Sequence, residues 1–280
     1  MTGLVQLFEK EGYPLARCRS CELVQVGVEV DPARLEEIYG EAYFKEEVFH
    51  DYVAERDDRL KSGAQAARTL AAVKPGGRLL DVGCATGFFL QAASTFYEVK
   101  GVELSPFAAE YARNEFGLDV LVGDVTEVGS QEEPFDVVTL WNTIEHMADP
   151  VGALRAIASL SRPGTLLAIS TGDVSGPLAR RDLPGWNLMS PPYHLFFFSP
   201  RTIDLLLARA GFRLRRIVYD GVVAAAGPFA SSPGRRIATL LGLGNVMTVY
   251  ATFAGAPLPA LSRAGRVAAR YRPLSRAFGA

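Results

Sequence analysis

The chain has 280 residues, of which 49% are hydrophobic and 21% charged, and a formal charge of −2. That is an ordinary globular composition, enough for one core or a core with a small appendage. The near-zero charge removes any bulk electrostatic argument for nucleic acid as a partner.

The charge is unevenly spread. Seven arginines (Arg235, Arg236, Arg263, Arg266, Arg270, Arg272 and Arg276) and no acidic residue follow Asp220, which leaves −9 on residues 1–220. Such a basic tail, over residues 255–280, is read as solvated. It also has the charge to contact an anionic lipid surface, but Gly265 and Pro273 make a poor amphipathic helix of it. Three cysteines, Cys18, Cys21 and Cys84, and the lack of a basic-then-apolar opening point to the reducing cytoplasm. The longest uncharged run, Ile237 to Ser262, is broken by glycines and prolines and reads as a strand with loops, not a membrane span.

In chain order, residues 1–30 read as a small arm of short strands around Cys18 and Cys21. Residues 31–73 read as helical: Asp31-Pro32 opens a short helix, a longer one runs from about Phe44 to Val73, and Lys74-Pro75-Gly76-Gly77 ends it. From there strands and helices alternate. Arg78–Val82 is a strand, Phe88–Phe96 a helix, Val99–Glu103 a strand, and Ser105-Pro106 starts a helix through Phe116. Asp119–Val122 and the strongly apolar Phe135–Trp141 are strands, with a helix from about Pro150 to Leu160 behind them. Thr165–Ser170 is a strand, Ser199-Pro200 caps a helix that Gly211 ends, and Arg213–Val218 and Val246–Phe253 are the last strands. Apolar strands separated by helices predict an α/β fold, a mostly parallel sheet covered on both faces. Ligands of such sheets sit beyond the carboxyl ends of the strands.

The segment Leu79-Leu80-Asp81-Val82-Gly83-Cys84-Ala85-Thr86-Gly87-Phe88 runs a strand into a glycine turn and then a helix. Small residues let a ligand approach the backbone there, and the turn presents free N–H groups. A dinucleotide fingerprint would need glycine where Ala85 and Phe88 stand. Two acids lie on the next strand ends. Glu103 can accept from a ribose diol, a step shared with dinucleotide enzymes. Asp124, after Gly123, can accept from an adenine amino group.

The pattern Asp81-x-Gly83-x-x-x-Gly87 resembles the first motif of class I S-adenosylmethionine-dependent methyltransferases. Ala85 stands where that motif usually has a glycine, a substitution that requires an unstrained backbone angle. Further segments resemble the small-molecule branch of the family: Phe135-Asp136-Val137-Val138 with Ile144-Glu145-His146 and Asp149-Pro150, His194-Leu195-Phe196-Phe197-Phe198-Ser199, and Gly211-Phe212. Upstream, Arg17-Cys18-Arg19-Ser20-Cys21, Ile38-Tyr39 and Tyr43-Phe44 look like its N-terminal region.

The resemblance covers about residues 8–253. It implies a Rossmann-like seven-stranded sheet with the last strand antiparallel, a catalytic domain over 74–254, a helical lid or linker over 31–73, and S-adenosyl-L-methionine as methyl donor. It carries donor contacts onto Asp81, Gly83, Cys84, Ala85, Thr86 and Gly87, onto Glu103 and Leu104, onto Asp124 and Val125, and onto Trp141 and Asn142. The branch often has a four-cysteine zinc site, but no cysteine precedes Cys18. A structural zinc needs four ligands, so no metal is expected at Cys18 and Cys21 unless further ligands are supplied, and the arm reads as a degenerate zinc ribbon. Ubiquinone-type O-methyltransferases resemble the chain at Glu145-His146 but carry a carboxylate where Asn142 stands, which also argues against a divalent metal.

A sulfonium methyl is already electrophilic, so the enzyme mainly aligns the acceptor and excludes water. A hydroxyl acceptor also needs help in losing its proton. His194, His146 and Glu145 are the candidate catalytic residues; each histidine has an alternative as a loop residue bonded to backbone. His50 reads as a surface residue. Trp186 and Tyr193 either wall the acceptor site or pack a loop onto the core. The expected function is methyl transfer to a small-molecule hydroxyl, on a sugar, glycan or secondary metabolite. The alternatives are a protein or RNA methyltransferase, and a non-catalytic cofactor-binding protein. No base-flipping motif or appended RNA-binding module supports a nucleic-acid substrate.

Overall fold

The computed structural model describes residues 3–28, 38, 55–129, 131–220, 244–260, 262, 263, 265 and 266. The predicted helix at Asp31-Pro32, the start of the longer helix near Phe44, His50 and most of the basic tail lie outside them. The described chain divides into two units.

The first unit takes its residues from Val30–Trp141 and Val151–Ala168. Helix α1 (Arg56–Val73) leads into β4 (Arg78–Val82), in which Leu79 to Val82 are all buried. Helix α2 (Phe88–Ala93), β5 (Glu98–Glu103), α3 (Pro106–Phe116), β6 (Val120–Val122), β7 (Phe135–Trp141) and α4 (Pro150–Ser159) follow. Strand β4 pairs in parallel with β5 and β7, and β5 with β6. The rule that continuous apolar strands are buried on both faces accounts for β4 and β7: Leu79, Leu80, Phe135, Val137, Val138 and Leu140 are fully enclosed.

Helix α3 shows how local signals set an element. The Ser105 hydroxyl accepts from the Ala108 N–H, Pro106 takes the first turn, and Gly117 ends the helix at a left-handed φ of 67°. Its alanines Ala108, Ala109 and Ala112 are fully buried. Small residues there admit Gly87, where an added Cβ would lie 2.8 Å from the Ala112 Cβ and 2.8 Å from Leu118 Cδ1, at φ +81°. Gly87→Ala is therefore expected to cost at least about 1 kcal/mol, read as a lower denaturant midpoint with an unchanged slope.

The second unit takes its residues from Met1–Glu29, Asn142–Pro150 and Ile169–Ala280. Strands β1 (Leu4–Lys10), β2 (Tyr13–Cys18), β3 (Val24–Val26) and β9 (Phe196–Phe197) form an antiparallel sheet in that order. The β1–β2 turn at Glu11 and Gly12 has φ of 53° and 80°, the positive pair that suits a right-twisted hairpin. Leu15, Val24, Val26 and Phe197 are its core. Helix α5 (Pro177–Arg181) and helix α6 (Pro200–Arg209) belong here too, the latter opened by a Ser199–Thr202 capping box. Strands β10 (Phe212–Asp220) and β11 (Val246–Phe253) pair antiparallel.

Strand β8 (Ser161–Gly172) has residues in both units, and the seven-stranded sheet has the order β10-β11-β8-β7-β4-β5-β6. The architecture is the mostly parallel α/β sheet that the strand–helix alternation predicts, in the Rossmann-like seven-stranded form that the resemblance implies. Differences are local. Helix α2 stops at Ala93, and β8 begins before its Pro-Gly pair, because Arg162 N–H bonds the Thr165 hydroxyl and keeps that end in register. No helix among the described residues is long and apolar enough to cross a membrane.

Candidate functional site

Three loops of the first unit, each at the carboxyl end of a parallel strand, are tied together by Glu103. Its carboxylate, 7% exposed, accepts from the Ala85 N–H at 2.8 Å through one oxygen and from the Ser105 N–H at 2.9 Å through the other. Its backbone carbonyl accepts from Gly123 N–H at 2.9 Å. Burial raises the pKa of the Glu103 carboxyl, against backbone hydrogen bonds from Ser105, Ala85 and Leu104 that favour the ionised form.

The turn after β4 is made by Gly83, Ala85 and Gly87 at φ of 73°, 48° and 81°. The expectation of an unstrained Ala85 is corrected: it occupies the left-handed region, which costs an ordinary L-residue about 1–2 kcal/mol. The Glu103 bond to its N–H holds it there. Gly83 and Cys84 N–H groups both donate to the Val102 carbonyl, at 2.8 and 3.1 Å. Cys84 is buried, and burial pushes its thiol far above the usual range. Thr86 is fully buried and its hydroxyl has no hydrogen-bond partner among the described residues, which leaves a polar group for a ligand to satisfy.

Asp81 lies beneath the turn, 2% exposed, and accepts from the Thr139 hydroxyl at 2.6 Å. Burial, opposed by that bond and assisted by the Glu103 charge, raises its pKa to about 7. The folded chain thus favours the protonated acid, and an ionised Asp81 weighs against folding as pH rises from the unfolded value near 3.8 to about 7. Asp81→Asn is expected to gain stability relative to the parent over that window and hold a constant gain above it, measured by denaturant unfolding at a series of pH values. A difference independent of pH would contradict this.

Asp124 is exposed, and one of its oxygens accepts from Thr126 N–H at 2.8 Å. Glu127 reaches back to the Asp124 N–H at 2.7 Å, completing a capping box on the short turn of Val125–Glu127. Val125 is buried and Leu104 half-buried. Trp141 packs edge-on to Phe89 with centroids 5.4 Å apart.

In the second unit, Asn142 has φ 51°, its N–H donates to the Ser170 carbonyl at 3.0 Å, and its side chain accepts from the Ser170 hydroxyl at 3.1 Å. Glu145, His146 and His194 meet there: one ligating atom of each lies within 4.8 Å of the others. The imidazoles are edge to face, centroids 4.6 Å apart. His146 Nδ1 is 2.8 Å from the Tyr193 carbonyl and His194 Nδ1 is 2.7 Å from that of Leu188. A carbonyl only accepts, so each Nδ1 carries the proton. Burial, reinforced by His194 and opposed by backbone bonds at Tyr193 and Asn142, lowers the His146 pKa to about 3. Burial also lowers His194.

Glu145 is 4% exposed; burial raises its pKa to about 7 against hydrogen bonds from its own backbone and from Thr171. Its Oε2 has no partner among the described residues. Trp186 is 3% exposed and its indole N–H donates to Asn245, so it packs a loop and does not wall a site. Thr139 and Thr171 escaped the sequence reading; a threonine on a buried strand face beside an acid is the signal that would find them.

The set in the first unit can take a nucleoside: carboxylates for hydroxyl and amino donors, an unsatisfied hydroxyl, and a turn of small residues. Comparisons with known proteins agree with that chemistry. The model of the family described as "Methyltransferase domain" matches residues 52–217. The ubiquinone biosynthesis O-methyltransferase of Xanthomonas campestris pv. campestris strain B100 is 35% identical over 104 residues, 35% of this chain and 44% of that protein. The enzyme of that description from Alkalilimnicola ehrlichii is 37% identical over 103 residues, 34% of this chain and 42% of that one. The matched stretch is thus less than half of either relative. Among solved structures, a SAM-dependent methyltransferase from Thermotoga maritima, described as a possible histamine N-methyltransferase, has a TM-score of 0.54 at 24% identity, covering 78% of this chain and 96% of that one. A magnesium protoporphyrin IX methyltransferase from Synechocystis PCC 6803 with bound SAH has a TM-score of 0.55 at 15% identity, covering 80% of this chain and 100% of that one.

Proposed function

The chain belongs to the class I S-adenosylmethionine-dependent methyltransferases, and on that premise we propose that it methylates a hydroxyl group of a small-molecule acceptor. Two half-buried neutral imidazoles beside the buried Glu145 carboxyl carry this reading. Such groups serve a hydroxyl acceptor, which must shed a proton to become a good nucleophile. The printed names of the two bacterial relatives, O-methyltransferases both, support it.

Bound, the donor supplies a methyl on a sulfonium, electrophilic as it stands. The chain's own residues then have two tasks. On the donor side, Asp81, Gly83, Cys84, Ala85, Thr86 and Gly87 form the turn that admits it, Glu103 beside Leu104 accepts from the ribose hydroxyls, and Asp124 accepts from the adenine amino group with Val125 as apolar neighbour. Trp141 and Asn142 border the donor. On the acceptor side, Glu145, His146 and His194 lower the cost of removing the hydroxyl proton, by accepting a hydrogen bond from the hydroxyl and taking its proton.

The test is transfer of a labelled methyl group from S-adenosylmethionine to fractions of a cell extract. Label in the small-molecule fraction, lost on masking hydroxyls, is the expected result. Label in RNA or protein would overturn the acceptor assignment, and donor binding with no transfer to any fraction would mark a non-catalytic protein.

A further inference from the structure

The antiparallel sheet of the second unit carries a thiol pair that methyl transfer does not use. Cys18 ends β2, and Cys21 stands in the turn that leads to β3. Main-chain bonds close this turn: Glu22 N–H donates to the Cys18 carbonyl and Cys18 N–H to that of Leu23, each at 2.9 Å. Glu22, at a φ of 68°, takes the left-handed position that lets the chain double back. The Cys-x-x-Cys spacing and this turn bring the two sulfurs within hydrogen-bond reach of each other, both thiols free and half-buried. Among the described residues no third Cys, His, Asp or Glu joins them as a possible metal ligand.

We propose that Cys18 and Cys21 form a redox-active dithiol that exchanges with low-molecular-weight anionic disulfides, Cys18 attacking and Cys21 resolving. The two sulfurs differ in the way such a pair requires. The Ser20 hydroxyl lies 3.1 Å from Cys18 Sγ. That hydroxyl, then the Cys21 and Ser20 N–H groups and the Cys21 thiol, stabilise the thiolate and lower the Cys18 pKa to about 6. Cys18 is therefore mostly in its nucleophilic form at neutral pH. Burial, opposed by a backbone bond at Leu23 and reinforced by Cys18, raises the Cys21 pKa, so Cys21 keeps its proton until the second step. Arg17 and Arg19, both exposed, flank Cys18 and attract a disulfide that carries carboxylates. Cys84 is buried in the first unit and has no such access.

The Cys18 thiolate attacks one sulfur of the small disulfide, whose S–S bond breaks to release a thiolate that takes a proton from solvent. Cys21 then gives its proton to solvent and attacks the Cys18 sulfur. The Cys18–Cys21 bond forms, and the second small thiol leaves. Two electrons have passed from the chain's dithiol to the small disulfide, which is reduced to two thiols. In a reducing compartment such a bond is transient and reports the redox state. The exchange depends on neither the methyl donor nor the acceptor.

The experiment equilibrates the full, untagged, chelator-treated and reduced chain with mixtures of glutathione and glutathione disulfide, alkylates the remaining thiols and maps them by mass spectrometry. The expected product is an internal Cys18–Cys21 disulfide, formed in one two-electron step and reversed by excess glutathione, with Cys84 still a thiol. Cys21→Ser is expected to accumulate a mixed disulfide on Cys18. Cys18→Ser is expected to react with glutathione disulfide at least about tenfold more slowly at pH 7, because the remaining thiol holds its proton. In Cys21→Ser the alkylation rate of Cys18 should rise with pH through an inflection below the ordinary thiol range, and adding Ser20→Ala should move that inflection upward. Circular dichroism establishes that each variant is folded; should Cys21→Ser unfold, the parent's disulfide and the Cys18→Ser rate carry the test. No disulfide in the parent, a bond through Cys84 or between two chains, equal rates in parent and Cys18→Ser, or zinc retained by the pair through chelation would each overturn the proposal.

Discussion

Glu103→Ala is expected to weaken S-adenosylmethionine binding by about 1–3 kcal/mol, the cost of unpairing hydrogen bonds to a charged group, or roughly 5- to 150-fold in dissociation constant. It should also lower the stability of the unliganded chain, because the Ala85 and Ser105 N–H groups lose their acceptor at about 1–3 kcal/mol for each buried group left unsatisfied. The two effects separate with a donor analogue that lacks the ribose 2′-hydroxyl. The parent should discriminate against the analogue and Glu103→Ala should not, because the partner of that hydroxyl is gone. Equal discrimination by both proteins would reduce Glu103 to a clamp on the turn.

His194→Ala is expected to cut turnover by about 10²–10⁴-fold, the usual contribution of a positioned proton-handling group, with donor affinity within about twofold of the parent. The reason is that the proposed donor residues Ala85, Glu103 and Asp124 belong to the first unit, and the proposed acceptor residues His194, His146 and Glu145 to the second. The His194 ring also bonds the Leu188 carbonyl, so His194→Gln, which retains a donor, is the better-folded companion variant. Single-turnover kinetics at saturating donor would check both. A loss of donor affinity with unchanged single-turnover rate would contradict an acceptor-side role.

The sheet was legible because its signals are local. The run Phe135–Trp141 is apolar and marked at its end by Asn142, and the strand found has those bounds. Ser105-Pro106 and Gly117 bracket α3 with chemistry that a short window contains. The position of Glu103 followed from the strand pattern, but its bond to Ala85 did not, because an alanine gives no warning of a positive φ. The three residues Glu145, His146 and His194 were named from the resemblance, but their contact was not legible: His194 is brought to Glu145 by main-chain bonds between distant segments, which periodicity does not encode. Trp186 read equally well as wall or plug; Asn245, its hydrogen-bond partner, lies far along the chain.

A structure of the chain with S-adenosylhomocysteine bound is the most direct measurement of where the donor sits. Its ribose hydroxyls should lie within hydrogen-bond distance of the Glu103 carboxylate, with the adenine amino group at Asp124. A nucleoside placed elsewhere, or none at saturating ligand, would contradict the donor site at residues 81–87, 103 and 124.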